Sequence, residues 1–305
     1  MSDARIRKPQ QSMPPEWGTF ALILFCYGTW LAVAFGVASW SVGVAIPMMA
    51  LVAALHSSLT HEALHGHPFR KKWLNEALMA LPLTLFIPYN RFRDMHLAHH
   101  RDETLTDPYD DPESNYLDPA VWNALPGWKR RVCAANNTLL GRILLGPLIG
   151  QLSFSINEFR LAVRGDRNVL LAWALHIPGV VAVLWIVSLS GMPIWAYLIS
   201  AYLGLGLVKI RTFLEHRAHA NAQGRTAIVE DRGILAFLFL NNNLHVVHHQ
   251  NPGAPWYRLP SLYRQERDRY LACNEGYVYR SYAEVFRRYL LQAKDPVPHP
   301  LWPRH

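Results

Sequence analysis

Two long stretches of this 305-residue chain contain no Asp, Glu, Lys or Arg: one between Glu16 and Glu62, the other between Arg167 and Lys209. Each is about twice the ~20 apolar residues that one helix needs to cross a bilayer. Overall only 17% of residues are charged and 51% are hydrophobic, which excludes an ordinary water-soluble domain and favours one membrane-embedded unit. Cysteine is scarce as well. Cys26, Cys133 and Cys273 form no CxxC pair and no disulfide framework, as expected of a reducing, cytoplasmic setting. No glycine-rich nucleotide fingerprint, internal repeat or low-complexity tract is present, and the net charge of +8 accompanies no nucleic-acid motif. That charge suits a membrane surface or an acidic partner better.

The two uncharged stretches each read as a helical hairpin, with short uncharged tips at 39–43 and 188–193. The expected fold is therefore an all-α integral membrane protein with four spans, about 17–38, 42–58, 169–189 and 194–210. Residues 1–16 read as a polar tail, 17–263 as the membrane unit, and 264–305 as a cytoplasmic helical extension of that unit. Arg5, Arg7 and Lys8, the many Lys and Arg of 70–168 and the basic tail after Lys209 place both termini and the central segment in the cytoplasm. The apolar run ALMALPLTLFIPY, 77–89, is too short to span and contains Pro82 and Pro88, so it reads as re-entrant or interfacial. Residues 139–159 read as interfacial too, interrupted by Gly141, Arg142, Gly146, Pro147 and Gly150. Ser281 and Glu284 form a capping box for a short amphipathic helix to about Gln292.

Against this background the histidines stand out: HEALH at 61–65, HLAHH at 96–100 and HVVHH at 245–249. On helices His61 and His65 are one turn apart, and each HxxHH cluster shares a face. Eight imidazoles on three faces point to metal, and eight are too many for one ion. All must face one compartment, which is why 77–89 cannot be a true crossing. His216 lies just beyond the fourth span at the height of His61 beyond the second, and is preferred over His219 as a ninth ligand. His56 and the lone His176 read as structural. HEALH also satisfies the HExxH zinc-protease pattern with Glu62 as base, but that reading leaves the other clusters unexplained. A site next to the bilayer suits a hydrocarbon substrate, and attack on an unactivated C–H bond needs a redox metal, which zinc is not.

The HxxxH, HxxHH and HxxHH boxes, the four expected spans and the further histidine resemble the membrane fatty acid desaturase superfamily, which also contains alkane hydroxylases and carotene ketolases. The resemblance covers roughly Trp17 to Tyr263. HLAHHRDETLTDPYDD, LEHRAH and HHQNPGAPWYRLP are similar to the bacterial desaturase and ketolase branches. It implies a di-iron centre held by His61, His65, His96, His99, His100, His216, His245, His248 and His249, using dioxygen and two electrons. Animal acyl-CoA desaturases carry an Asn four residues before the extra histidine; here that position is Thr212, which turns attention to Asn241, Asn242 and Asn243. Glu62, Asp102, Glu215 and Asn243 are candidates to support the ligands. The acidic loop from Asp102 to Pro119 otherwise reads as solvated. Lys209, Arg211 and Arg258 are candidates for an anionic head group. With no flavin, nicotinamide or haem segment, electrons are expected from a separate ferredoxin, rubredoxin or cytochrome. The activity implied is desaturation of a fatty acyl chain, with hydroxylation or ketolation of a lipid, alkane or carotenoid as the alternative, in the inner or cell membrane.

Overall fold

The computed structural model describes residues 15–100 and 103–302. Residues 1–14 of the expected tail, and Asp102, lie outside the described residues. Five helices are long and apolar enough to cross a membrane: α1 (Trp17–Trp40), α2 (Val42–Leu64), and, later in the chain, Leu139–Val163, Arg167–Ser188 and Ile194–Thr212. In α1, Ile23, Cys26 and Trp30 recur on one buried face, while Leu24, Phe25, Leu31 and Phe35 are exposed. That inversion, with large apolar side chains outward, is what a lipid surround permits. Ser41 caps α2 by accepting from the Val44 amide at 3.4 Å.

Between α2 and the second histidine box lie α3 (Lys72–Leu78) and the irregular residues 79–88, which lead into α4 (Tyr89–His99). This irregular segment is buried among helices at Met79, Leu83 and Leu85. Side chains satisfy carbonyls at its start and within it: Tyr27 Oη donates to Leu78 O, the last of α3, at 2.7 Å, Tyr197 Oη to Leu83 O at 2.8 Å, and His176 Nε2 to Leu85 O at 2.9 Å. Non-helical backbone among membrane helices is tolerated only when its polar groups find such partners. Gly179 makes the close approach possible, since a Cβ there would come within 2.2 Å of Ala80 O.

Two short helices, α5 (Pro119–Ala124) and α6 (Gly127–Asn136), precede α7 (Leu139–Val163), α8 (Arg167–Ser188) and α9 (Ile194–Thr212). The expectation that glycines and Pro147 interrupt 139–159 is overturned, because α7 is one unbroken helix of 25 residues. α9 packs closely against it at this point. The Ile143 carbonyl that Pro147 cannot engage lies 2.8 Å from where a Gly206 Cβ would be, and the next carbonyl, Leu144 O, accepts from Tyr202 Oη. Leu140, Leu144, Leu148, Leu152, Ile156, Phe159 and Val163 form an exposed apolar stripe along it. α2 and α9 form the main contact of the bundle. Gly204 lets them meet, as its Cβ would lie 2.7 Å from Ala53 Cβ and 2.9 Å from Ala50 O.

The remainder caps the bundle: β1 (Ile228–Val229), α10 (Ile234–Leu238), α11 (His245–Gln250), α12 (Leu259–Gln265), α13 (Arg267–Cys273), β2 (Val278–Tyr279) and α14 (Tyr282–Tyr289). β1 and β2 pair in parallel, Ile228 opposite Val278 and Val229 opposite Tyr279, so the fold is mostly helical with one short ladder that an all-α expectation omits. α14 begins at the expected cap, Ser281 accepting from Glu284 N at 3.3 Å, but Glu284 reaches the Arg280 amide and the helix ends at Tyr289. The chain end returns over the second-box loop, where Leu117 N donates to Val297 O at 2.9 Å and Tyr116 Oη to Asp295 at 2.8 Å.

Candidate metal centre

Each histidine box sits where a helix begins or ends. His61 is in the last turn of α2 and His65 caps it, with Gly66 following in the left-handed region at φ 98°. His96 and His99 lie in the last turn of α4, and His100 caps it. The third box occupies α11 almost entirely, and the turn feeding it forces Leu240 and Asn241 to φ 50° and 56°. A leucine in that region is strained, and it is held there by burial beside the site. His216 lies past α9 on an extended segment bridged to Thr226; the Lys294 ammonium donates to its carbonyl at 2.6 Å.

The fold gathers all nine histidines into two groups: His61, His65, His96, His100 and His248 in one, His99, His216, His245 and His249 in the other. The boxes interleave. His96 and His100 are one turn apart and serve the first group, whereas His99, offset around the helix, serves the second; α11 divides in the same way. His219 stands apart, against Glu275 at 3.3 Å. His56 meets Tyr27 Oη at 3.1 Å and belongs to neither group.

The orientation of the rings is informative. Outward, His96 Nδ1 donates to Glu113 at 2.9 Å, His99 Nδ1 to Asp111 at 2.7 Å and His245 Nδ1 to Asn242 Oδ1 at 2.9 Å. A neutral imidazole with Nδ1 protonated leaves its Nε2 lone pair bare. Those Nε2 atoms point at each other. His96 Nε2 is 3.2 Å from His65 Nε2 and 3.0 Å from His100 Nε2, which is 3.1 Å from His248 Nε2. In the second group His99 Nε2 is 2.9 Å from His216 Nε2, and His245 Nε2 is 3.2 Å from both His216 Nε2 and His249 Nε2. Facing lone pairs repel unless a cation lies between them. Nitrogens held about 2.1 Å from a shared ion at right angles sit about 3 Å apart, so the donor set fits two metal ions.

Burial, reinforced by neighbouring imidazoles, pushes His65, His216, His245 and His248 well below the usual histidine range, which keeps them neutral and able to ligate. His99 is the exception: burial lowers it, but Glu113 and Asp111 outweigh that and raise it to about 9, so ligation through its Nε2 would displace a proton. Glu113 is half-buried, and His99 and His96 hold it below the carboxylate range. Glu215 is raised by burial; it lies 3.1 Å from Arg211 Nε and 3.6 Å from His245 Nδ1.

Of the expected supporting residues, Glu215 lies beside His245, while Glu62 and Asn243 face elsewhere. Glu62 turns away and accepts from the Trp256 amide at 3.1 Å, a placement that does not serve a protease base. Asn243 donates to Val229 O at 2.6 Å and Asp231 O at 3.2 Å, tying the third box to β1. Asn242 takes the position beside the imidazoles, with Nδ2 3.4 Å from His61 Nε2 and Oδ1 on His245, so it joins the two groups. Asp111 and Glu113 were hidden among the acids of an irregular loop, where no periodicity tells which carboxylate turns inward. Lys209 and Arg211 line a cavity of about 1080 Å³ that His96, Glu113 and His216 also line, whereas Arg258 borders a separate surface hollow.

A family model, Fatty acid desaturase, matches residues 38–283. The chain belongs to the fatty acid desaturase family. Comparison with curated proteins finds no match. For this desaturase-family protein, membership implies an oxidoreductase with a lipid substrate in a membrane setting. The family is known for di-iron sites, and the two histidine groups are the place for one here.

Proposed function

We propose that this desaturase-family protein is a membrane di-iron enzyme that uses dioxygen and two electrons to desaturate a fatty acyl chain. The observation that carries the reading is the pair of histidine groups with inward Nε2 atoms, set beside a large cavity between the helices. His61, His65, His96, His100 and His248 would hold one iron and His99, His216, His245 and His249 the other. When bound, iron with dioxygen supplies an oxidant strong enough to take hydrogen from an unactivated methylene. The chain's own groups do the positioning. Asp111, Glu113 and Asn242 fix the tautomers of His99, His96 and His245. The cavity walls, among them Ile149, Phe154, Leu205 and Val208, seat the hydrocarbon and keep bulk water from it.

In this reading α1, α2, α8 and α9 cross the bilayer and α7 lies along its surface. Both ends of α7 support this. Leu140 N donates to Leu290 O of the cap at 3.0 Å, while Glu158 near the other end binds Arg91 of α4 at 2.8 Å and Trp173 in the early turns of α8 at 3.1 Å. A crossing would separate those ends by about 30 Å of hydrocarbon, away from the histidine-bearing side. The excess of Lys and Arg on that side supports a cytoplasmic location for it and for both termini. Electrons arrive there from a ferredoxin, rubredoxin or cytochrome. Lipid mass spectrometry of cells expressing the protein with a reductase system tests the reading. A product lighter by two hydrogens is expected; one heavier by an oxygen assigns hydroxylation, and no new product would defeat the substrate class.

A further inference from the structure

The cavity beside the histidines carries two cations that form no ion pair among the described residues. Lys209, in the last turn of α9, and Arg142, in the first turn of α7, both line it. Arg142 is bound only by neutral oxygens: Nε donates to Asn136 O at 2.9 Å, one terminal nitrogen to Asn137 Oδ1 at 3.4 Å and the other to Asn115 Oδ1. Among the described residues Lys209 Nζ makes no hydrogen bond or ion pair; Glu113 and Glu215 attract it only from beyond ion-pair distance, while Arg142 repels it. The other cations on the cavity wall are paired. Arg91 lies 2.8 Å from Glu158, Arg211 3.1 Å from Glu215 and Lys294 2.8 Å from Asp295.

Lys209 and Arg142 are neighbours along a glycine-lined groove of α7. A Cβ at Gly146 would lie 3.0 Å from Arg142 Cδ and 3.5 Å from Lys209 Cγ, and one at Gly150 would lie 3.8 Å from Lys209 Nζ. Gly146 and Gly150 therefore leave the room in which the lysine lies against the helix. Two like charges withdrawn from bulk water are unfavourable unless an anion joins them. The same cavity offers Ile87, Ile149, Phe154, Leu205 and Val208 as apolar wall. A ligand that meets both needs is amphiphilic.

We infer that the substrate is an amphiphile whose anionic oxygen group, a carboxylate or a phosphate, sits between Lys209 and Arg142 while its hydrocarbon lies along the apolar wall. This rests on the reading that the cavity receives the lipid substrate, and it disfavours alkanes and carotenoids, which bring no charge. The cation pair is then a specificity element of the site.

Cys133 lines the same cavity and is half-buried, so its thiol reports occupancy, while Cys273 lies outside it as an internal control. The experiment measures maleimide labelling of Cys133 in the purified full chain, stripped of metal, against increasing oleate, dioleoyl phosphatidate, oleyl alcohol or octadecane. An anionic amphiphile should protect Cys133 at concentrations about tenfold or more below those of the alcohol. Lys209→Met should abolish that preference and Lys209→Arg should keep it. Protection by oleate alone identifies a carboxylate, by phosphatidate alone a phosphate, and by both a site for either. Equal protection by acid and alcohol, or an undiminished preference in Lys209→Met, overturns the inference. The comparison of acid with alcohol needs no variant, so a misfolded Lys209→Met leaves the test decisive. Because no metal or turnover is involved, failure here is distinct from failure to form a desaturated product.

Discussion

Asp111 provides the sharpest test of how the second histidine group is held. Its carboxylate accepts three hydrogen bonds, from His99 Nδ1 at 2.7 Å, Thr106 N at 2.9 Å and Glu113 N at 2.9 Å. Both Asp111 and His99 are only 1% exposed at the side chain. Asp111→Ala removes all three bonds and strands the donors. At about 1.5–3 kcal/mol for each bond to a charged group the gross loss is large, and breaking a buried charged pair typically costs about 3–5 kcal/mol after relaxation. That is a large share of the ~5–15 kcal/mol by which domains are stable, so this variant should accumulate poorly. Asp111→Asn keeps the shape and one acceptor oxygen for His99 and Glu113, but turns an amide N–H toward the Thr106 N–H. It should fold with a loss of about 1–3 kcal/mol. Its weaker hold on the His99 tautomer should reduce metal affinity about 10–100-fold. The assays are thermal unfolding of the purified protein and iron per chain at limiting iron, with exposed Asp110→Asn as a control expected to shift stability by less than about 0.5 kcal/mol. Unchanged melting temperature and iron retention in Asp111→Asn would refute the reasoning.

Removing iron with a chelator should lower the melting temperature, since ions bound only by the folded state stabilise it and the bare Nε2 atoms then face each other; an unaltered melting curve would argue against ligation. His216→Ala should lose iron while His219→Ala keeps it, and equal retention in iron analysis would remove His216 from the ligand set. Asn242→Ala should impair iron retention more than Asn243→Ala per unit of stability lost, because only Asn242 touches imidazoles of both groups; the reverse order would reassign the role. Gly204→Leu should destabilise by at least about 1–3 kcal/mol through collision with Ala53 and Ala50, whereas Gly28→Ala meets nothing within 4 Å and should be near neutral; thermal unfolding compares them. For topology, Arg164→Cys, at the α7–α8 turn, should resist an impermeant thiol reagent in intact cells while Leu189→Cys, at the α8–α9 turn, reacts. Labelling of Arg164→Cys with protection of Leu189→Cys would make α7 a span.

The residues that make the site were legible because their signal is local. HxxxH and HxxHH spacings place imidazoles on one helical face wherever the helix lies, and two uncharged stretches of some forty residues declare membrane helices by length and hydropathy. The same locality explains what was not legible. Pro147 looked like an interruption because the groups that meet the carbonyls around it, Tyr202 by a hydrogen bond to Leu144 O and Gly206 by leaving room beside Ile143 O, are about sixty residues away on α9. Asp111 and Glu113 looked like any acids of a solvated loop until folding turned them onto His99 and His96. Neighbouring asparagines are equivalent on paper; only the turn at Leu240 and Asn241 aims Asn242 at the imidazoles and Asn243 at β1.

The sequence by itself determined the histidine spacings, the two pairs of apolar helices at 17–64 and 167–212 and the family, since composition and spacing survive without coordinates. The tertiary structure alone decided how nine histidines divide into groups of five and four, which carboxylates orient them, and that Lys209 and Arg142 share one cavity. The physical reason is that these are relations between separate elements, from 12 residues apart for Asp111 and His99 to 148 for His100 and His248. They arise only when helix packing brings α4, α7, α9 and α11 against a common space.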